Sequence, residues 1–411
     1  MSEGARQGAG SQTRTRLVER AAKLARTFGH DPEFSRGGGG NVSVKTDGVL
    51  YIKPSGVGLG SLSAGDLMPL DLEPLARLLG EGSDEHAASG SEAVMSVAMA
   101  ARLRPSGDQR PSVEVLFHVL IPRRFVLHTH PTIVNAVCCA VDGVRVAHDL
   151  FGDAVLWVPY VNPGLPLARA IREARMSFEQ QRSKPAPDVL LLQSHGLIAA
   201  GDEASAISTA SWRVVGRIRG HLAGLERGAN GADSAAAPPG APSRELAEKL
   251  ESALRTSLSR RSEPKVVVFD ASPDAVRVAT LELGRRLVLG GPITPDQIVY
   301  TGSWPLWLEM PEHMEALRLT RWVVDAALVR HFEAHHVLPT IVVAAGLGLF
   351  AAADSAREAE TARDVYLDAI RIGFGASLLG GVRALEPDER RFIEEWEAEA
   401  YRRGVAAAGA G

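Results

Sequence analysis

Cysteine is nearly missing from this chain of 411 residues: there are two, Cys138 and Cys139, side by side. Adjacent cysteines rarely bridge each other, so a disulfide framework is excluded and a reducing compartment fits. Burial as small apolar groups is their expected role. Long apolar runs are also missing. The longest, Ile341 to Ala353, is too short to span a bilayer and is broken by glycines. Met1 to Arg16 is polar, rich in Gly, Ser and Arg, and has no apolar stretch of the signal-peptide kind. A cytoplasmic protein with no membrane association is expected. Neither sign of charge dominates: the net charge is −4, which argues against a general nucleic-acid binder. Nucleotide fingerprints are absent. There is no Walker-type loop, and Gly346 and Gly348 do not complete a Gly-x-Gly-x-x-Gly turn. No internal repeat of fixed period is visible.

What is present is ample material for a core, with 45% hydrophobic residues. The length exceeds one compact core, so two or more domains are expected. Helical spacing of Leu17, Val18, Ala21, Leu24, Ala25 and Phe28 predicts a first helix over Thr13 to Phe28. The loop Ser35-Arg36-Gly37-Gly38-Gly39-Gly40-Asn41 follows. Val42 to Lys45 and Val49 to Lys53 read as a hairpin turned by Asp47-Gly48. Gly80 to Glu92 reads as an exposed loop. A short helix is expected over Ser112 to Leu120, and strands at Phe125 to His130, Ala154 to Val158 and Val189 to Gln193. Helices fit Pro166 to Glu179 and Ala204 to Leu225. Gly228 to Pro242, rich in Ala, Gly and Pro, reads as a linker. A second α/β segment follows, with strands at Lys265 to Phe269 and Thr340 to Ala345. Its helices are expected from about Ser243, at Pro273 to Leu287 and at Ser355 to Ile370. The domains expected are therefore 12–227 and 243–411.

Three groups of residues carry chemistry. His128-Thr129-His130 puts two imidazoles two residues apart, on one face of an extended strand. Alone, such a pair is more often two partly exposed histidines. A catalytic zinc site needs three protein ligands and an open position. His195, at the end of the apolar strand Val189 to Gln193, is the candidate third. Glu114, at the opening of a helix, is the candidate carboxylate; His118, one turn on, is spaced to be its partner. Gly37 to Asn41 and Lys53-Pro54-Ser55-Gly56 are loops whose backbone N–H groups can approach an anion. Asn41, Ser55 and Ser112 add side-chain donors.

Together these motifs resemble the class II aldolase/adducin family. The matching pieces, in order, are Gly40-Asn41-Val42-Ser43-Val44, Lys53-Pro54-Ser55-Gly56, Pro111-Ser112-Val113-Glu114, His128-Thr129-His130-Pro131 and Ser194-His195-Gly196-Leu197. The resemblance covers about Leu17 to Leu225. A closer similarity is to the aldolase half of bifunctional rhamnulose-1-phosphate aldolase/alcohol dehydrogenase proteins. It is carried by the short interval from Glu114 to His128, by Tyr160-Val161-Asn162-Pro163-Gly164, by Thr294-Pro295-Asp296 and by Gly346 to Phe350. Those proteins continue into a dehydrogenase domain near where this sequence ends, so redox activity is not expected.

The resemblance implies α/β/α layers around a mainly antiparallel sheet, with an additional C-terminal α/β segment. It implies Zn2+, or another divalent metal such as Mn2+ or Co2+, held by His128, His130 and His195. It gives Glu114 the role of general base. Asn41, Ser55, Gly56 and Ser112 become the phosphate-binding residues of a sugar-phosphate substrate. Val113 departs from the pattern, since relatives carry a second serine there. Tyr160 is the candidate proton donor to the departing aldehyde oxygen, and Tyr300 a second candidate. The implied reaction cleaves a ketose 1-phosphate, of the rhamnulose, fuculose or 5-deoxyribulose kind, to dihydroxyacetone phosphate and an aldehyde. Sugar-phosphate 4-epimerases, metal-dependent decarboxylases and non-enzymatic adducin-like proteins share the fold. For a decarboxylase, Arg36 or Lys53 is the candidate carboxylate clamp. Relatives assemble as homotetramers, so a homo-oligomer is expected.

Overall fold

Alternation of polar and apolar residues in Asn41-Val42-Ser43-Val44-Lys45 makes a strand with two unlike faces, and that strand organises the first half of the chain. The computed structural model describes residues 3–79, 90–104, 109–230, 243–260, 263–310, 317–397 and 401. The chain divides into two compact units. One is Met1–Cys138 with Gly143–Gly220 and Trp396–Gly411; the other is Cys139–Asp142 with His221–Glu395. No helix among the described residues is long and apolar enough to cross a membrane.

The first unit runs α1 (Glu3–Gly29), β1 (Asn41–Thr46), β2 (Val49–Ile52), β3 (Met68–Asp71), α2 (Leu72–Arg77), α3 (Gly90–Ala100), α4 (Val115–Leu120) and β4 (Phe125–Thr129). It continues α5 (Thr132–Cys138), α6 (Gly143–Phe151), β5 (Leu156–Val158), α7 (Leu165–Arg182), β6 (Val189–Leu192), β7 (Gly196–Gly201) and α8 (Ala204–Asn230), which crosses into the second unit. Among the described residues these strands form one sheet in the order β3-β2-β1-β4-β7-β6-β5. All neighbours are antiparallel except β5 and β6. One face buries Leu50, Ile52, Val126, Leu190, Leu192 and Ile198 under residues of α2, α3, α4 and α7. Val42 and Val44 point the other way, and α1 packs on β1 and β4. Phe28 of α1 meets Phe34 edge-on at 4.6 Å, and Trp212 of α8 stacks with Phe28.

The second unit contains α9 (Arg244–Ser259), β8 (Val266–Asp270), α10 (Pro273–Thr280), α11 (Glu282–Leu289), α12 (Pro295–Thr301) and β9 (Leu306–Leu308). It is completed by α13 (Leu317–His335), β10 (Ile341–Ala344), β11 (Gly348–Ala353), α14 (Ala356–Ser377) and α15 (Pro387–Glu395). Its sheet order is β8-β11-β10-β9. Phe350, Val342 and Ala344 pack with α9 and α13 on one face. Ile341, Val343, Leu349 and Ala351 pack with α10, α11 and α14 on the other. The fold is thus mixed α/β, with a mainly antiparallel sheet in the first unit and helices on both sheet faces.

The structure corrects three readings. Residues 90–92, read as loop, belong to helix α3, while 80–89 lie outside the described residues. The linker reading at 228–242 overlaps the end of α8, and 231–242 lie outside the described residues. The helix read over Pro273 to Leu287 is two helices, broken at Leu281.

The absence of a fixed-period repeat hides a structural one. β4, β5, β6 and β7 occupy the same relative places as β8, β9, β10 and β11: an antiparallel hairpin, flanked by one antiparallel and one parallel neighbour. The registers coincide. Thr129 pairs with Leu197, and Asp270 pairs with Leu349, each partner lying one residue after the glycine that opens its strand. Leu156-Trp157-Val158 answers to Leu306-Trp307-Leu308, and Gly196-Leu197-Ile198-Ala199-Ala200 to Gly348-Leu349-Phe350-Ala351-Ala352. Even the tight helix junctions agree. A Cβ on Gly143 would stand 2.3 Å from the Val137 carbonyl oxygen, and one on Gly284 would stand 2.1 Å from that of Val278. In this correspondence His128, His130 and His195 fall on Phe269, Ala271 and Leu347. The second unit repeats the scaffold without the imidazoles.

His331 of α13 is buried, and burial, followed by the neighbouring His335, lowers its pKa to about 4. The unfolded chain takes up that proton near pH 6.5 and the folded chain only near 4. Stability from this group is therefore complete above pH 6.5 and falls as pH drops through this window, by up to about 3 kcal/mol. Urea unfolding between pH 7 and 4 is expected to show this loss, and His331→Leu to flatten it; equal slopes would refute the assignment.

Candidate metal centre

His128 is the last-but-one residue of β4 and points to the same sheet face as Val126, toward α4. It is fully buried. Its Nδ1 lies 3.0 Å from the Leu197 carbonyl oxygen, an N–H donation that leaves the Nε2 lone pair free for a ligand role. His130 stands just beyond the strand, where its backbone N–H donates to the Phe34 carbonyl at 3.0 Å. His195 sits in the β6–β7 turn, beside Ser194 in the left-handed region at φ 53°. Asn135 Nδ2 donates to the His195 carbonyl at 3.2 Å and so holds that turn against α5. The three rings converge. His128 Nε2 is 3.0 Å from His130 Nε2 and 3.3 Å from His195 Nε2. Nitrogens bound to one tetrahedral zinc are about 3.3 Å apart. The triad is the group of His, Cys and acidic residues among the described residues that could share an ion.

Two glycines make room for it. A Cβ on Gly40, whose φ is +77°, would lie 2.8 Å from the His128 carbonyl oxygen. A Cβ on Gly196 would lie 2.5 Å from the Thr129 carbonyl oxygen and 2.9 Å from His130 Cδ2. Gly196→Ala is expected to cost about 1–3 kcal/mol of stability from overpacking and to weaken metal binding more than tenfold. Equal metal affinity in the variant would show that the turn yields without moving the rings.

Glu114 stands at the N-cap position of α4, where its side chain makes no capping hydrogen bond and is turned into the site. Its Oε2 accepts from Asn41 Nδ2 at 2.7 Å and lies 3.7 Å from His128 Nε2. Its Oε1 is buried, has no hydrogen-bond partner and lies 3.3 Å from His195 Nε2. A buried, unsatisfied carboxylate oxygen beside three converging imidazole nitrogens is what a cation would satisfy, so these residues fit a divalent metal. Burial pushes the Glu114 carboxyl toward its neutral form, but the adjacent imidazoles prevail and hold it well below the usual range. Burial lowers His128 to about 3, so it is neutral, the ligand form, at physiological pH.

β1 positions α4 through every second residue. Asn41 holds Glu114, Ser43 Oγ meets His118 Nδ1 at 2.8 Å, and Lys45 Nζ donates to the carbonyls of His118 and Ile121. His118 is therefore the partner of Ser43 rather than of Glu114. This ladder was legible as alternation, but not as a clamp on the helix that carries the carboxylate.

The anion loops lie beside it. Ser55 N–H donates to the Arg110 carbonyl at 2.9 Å, and Ser112 Oγ accepts from Glu114 N–H at 3.2 Å. Gly56 has φ 81°, and its backbone lies against Gly38. Lys53 is buried beneath both loops, with Nζ donating to the carbonyls of Gly38 and Val57 at 3.3 and 2.6 Å. It is spent on holding the loops, which argues against the carboxylate-clamp role. Asn41, read as a phosphate donor, is turned toward Glu114. Tyr160 follows β5, and its backbone N–H donates to Gln193 Oε1, two residues before His195. Tyr300 lies on α12 of the second unit. Asn135 was missed by sequence reasoning; an asparagine inside an apolar helix was its only signal.

Residues 19–215 match the family model of the Class II Aldolase and Adducin N-terminal domain, and residues 245–402 match that of Aldolase class II, second domain. The two matches take in most of the chain, which belongs to the class II aldolase and adducin family. The uncharacterized oxidoreductase YuxG of Bacillus subtilis is 24% identical over 421 residues. That match takes in 95% of this chain but 58% of YuxG, so the chain spans little more than half of this curated relative. Among solved structures, the N-terminal class II aldolase domain of a conserved Thermoplasma acidophilum protein is 24% identical, with a TM-score of 0.43, over 50% of this chain and 93% of that one. The L-fuculose-1-phosphate aldolase of Thermus thermophilus is 21% identical, with a TM-score of 0.33, over 52% and 98%.

Proposed function

We propose that this protein is a zinc-dependent aldolase that cleaves a ketose 1-phosphate to dihydroxyacetone phosphate and an aldehyde. The observation that carries the reading is the convergence of the three Nε2 atoms with the unsatisfied Glu114 Oε1 3.3 Å from one of them. His128, His130 and His195 would hold the metal. Zn2+ suits three imidazoles, with Mn2+ or Co2+ as substitutes. When bound, the metal supplies Lewis-acid polarisation of the substrate carbonyl. Glu114 moves the proton at the carbon beside that carbonyl: it returns the proton in cleavage and removes it in condensation. Asn41 fixes the carboxylate through Oε2 and leaves Oε1 to act. Ser55, Gly56 and Ser112 receive the phosphate, and Tyr160 takes the proton of the C4 hydroxyl as the aldehyde forms in cleavage and gives it back to the aldehyde oxygen in condensation. The protein works as a cytoplasmic homo-oligomer in this reading.

The test is hydrogen exchange. Metal-loaded protein is incubated with dihydroxyacetone phosphate in D2O and followed by proton NMR. Loss of one hydrogen of the hydroxymethyl carbon is expected, and no exchange would contradict the role given to Glu114. CO2 release or epimer formation from other sugar phosphates or sugar acids, without aldol cleavage, would replace the aldolase reading.

A further inference from the structure

The phosphate subsite drawn above is short of positive charge. Ser55, Gly56 and Ser112 are neutral donors, Val113 offers none, Asn41 is turned to Glu114, and Lys53 is buried against carbonyls. A phosphate monoester is a dianion near neutral pH, and its strongest partner is a guanidinium that can pair with it through two N–H donors.

Ser55 and Ser112 open onto a cavity of about 630 Å3 within the first unit. Arg110 is the basic residue in its lining among the described residues. Its backbone fixes it there: the Arg110 carbonyl accepts from Ser55 N–H, and the next residue, Pro111, bridges to Pro54. The guanidinium is already engaged by residues of the same cavity wall. Arg110 Nη1 lies 2.7 Å from Glu397 Oε1, and the group packs over the Tyr401 ring at 4.4 Å. Trp396 lies against Gly164 on the same wall. Glu397 is a mostly exposed side chain, yet its carboxylate takes the place on Arg110 that a phosphate oxygen would take.

We infer that Arg110 is the residue that recognises the substrate phosphate, and that Glu397 is an internal carboxylate that competes with phosphate for it. The inference rests on the sugar-phosphate reading of the site. An incoming dianion displaces Glu397 from the guanidinium while Ser55 and Ser112 supply the neutral donors. Glu92 and Glu397 both line the cavity and carry charge opposite to that of Arg110, so both oppose an incoming anion, and Glu397 is the one paired with the guanidinium.

The test measures binding without turnover, which separates it from the aldolase reading. Inorganic phosphate is titrated calorimetrically into the metal-loaded 411-residue protein, and into Arg110→Ala, Arg110→Lys and Glu397→Gln. Arg110→Ala is expected to weaken phosphate binding tenfold or more, with Arg110→Lys recovering part of it. Glu397→Gln, which keeps size and removes charge, is expected to tighten binding severalfold. With an active substrate, Arg110→Ala is expected to raise KM more than it lowers kcat. The inference is overturned if the wild type does not bind phosphate, if Arg110→Ala binds it equally well, or if Glu397→Gln binds it more weakly. Phosphate binding that follows this pattern in a protein with no aldol activity would leave Arg110 assigned and retire the reaction instead.

Discussion

His128→Ala is expected to lose its metal and, with it, all measurable turnover. His128 is the central imidazole: its Nε2 is 3.0 Å from that of His130 and 3.3 Å from that of His195, and its Nδ1 is anchored on the Leu197 carbonyl. Loss of an outer hydrogen-bond partner of a metal ligand costs about 10–100-fold in affinity, and loss of the ligand itself costs more. Metal content by atomic emission is expected to fall from one ion per chain to near zero after dialysis. Because His128 is fully buried, the alanine also leaves a cavity. His130→Ala, at a less buried position, is the companion: it should lose metal with a smaller change in Tm. Full metal content in both variants would sink the triad.

The second large effect belongs to Glu114. Glu114→Gln keeps the shape and the hydrogen bond to Asn41, since an amide oxygen also accepts, but it removes the base. The three imidazoles are untouched, so stoichiometric metal is expected. Turnover is expected to fall by about 10²–10⁴, the contribution of a positioned general base. Loss of metal together with turnover would make Glu114 a ligand rather than a base. Full activity would remove it from the reaction.

Much of the site was readable because its physics is local. The polar residues of Asn41-Val42-Ser43-Val44-Lys45 share one face by strand geometry alone, and His128 and His130 stay together for the same reason even though β4 ends at Thr129. Other features have no local signature. β7 was not read because Gly196 to Gly201 is buried throughout, so no alternation marks it. The break at Leu281 has neither glycine nor proline at that residue; it comes from Gly284 closing onto Val278. The repeated scaffold escaped notice because the offset between its two copies drifts along the chain, while strand register preserves it. Arg110 reads as an ordinary basic residue until Ser55 and Glu397, far apart in sequence, are placed beside it. Lys53 shows the opposite error: a cation near a glycine loop suggests a ligand clamp, and its carbonyl partners make it a support.

The conversion most at issue is the making and breaking of one carbon–carbon bond. The decisive measurement is condensation: zinc-loaded protein, dihydroxyacetone phosphate and a panel of small aldehydes, with products followed by phosphorus NMR. A new ketose 1-phosphate with at least one aldehyde, absent with Glu114→Gln and with chelator, is the predicted result. No ketose phosphate with any aldehyde, from protein that holds one metal ion per chain, would contradict the aldolase account while leaving the three-histidine centre in place.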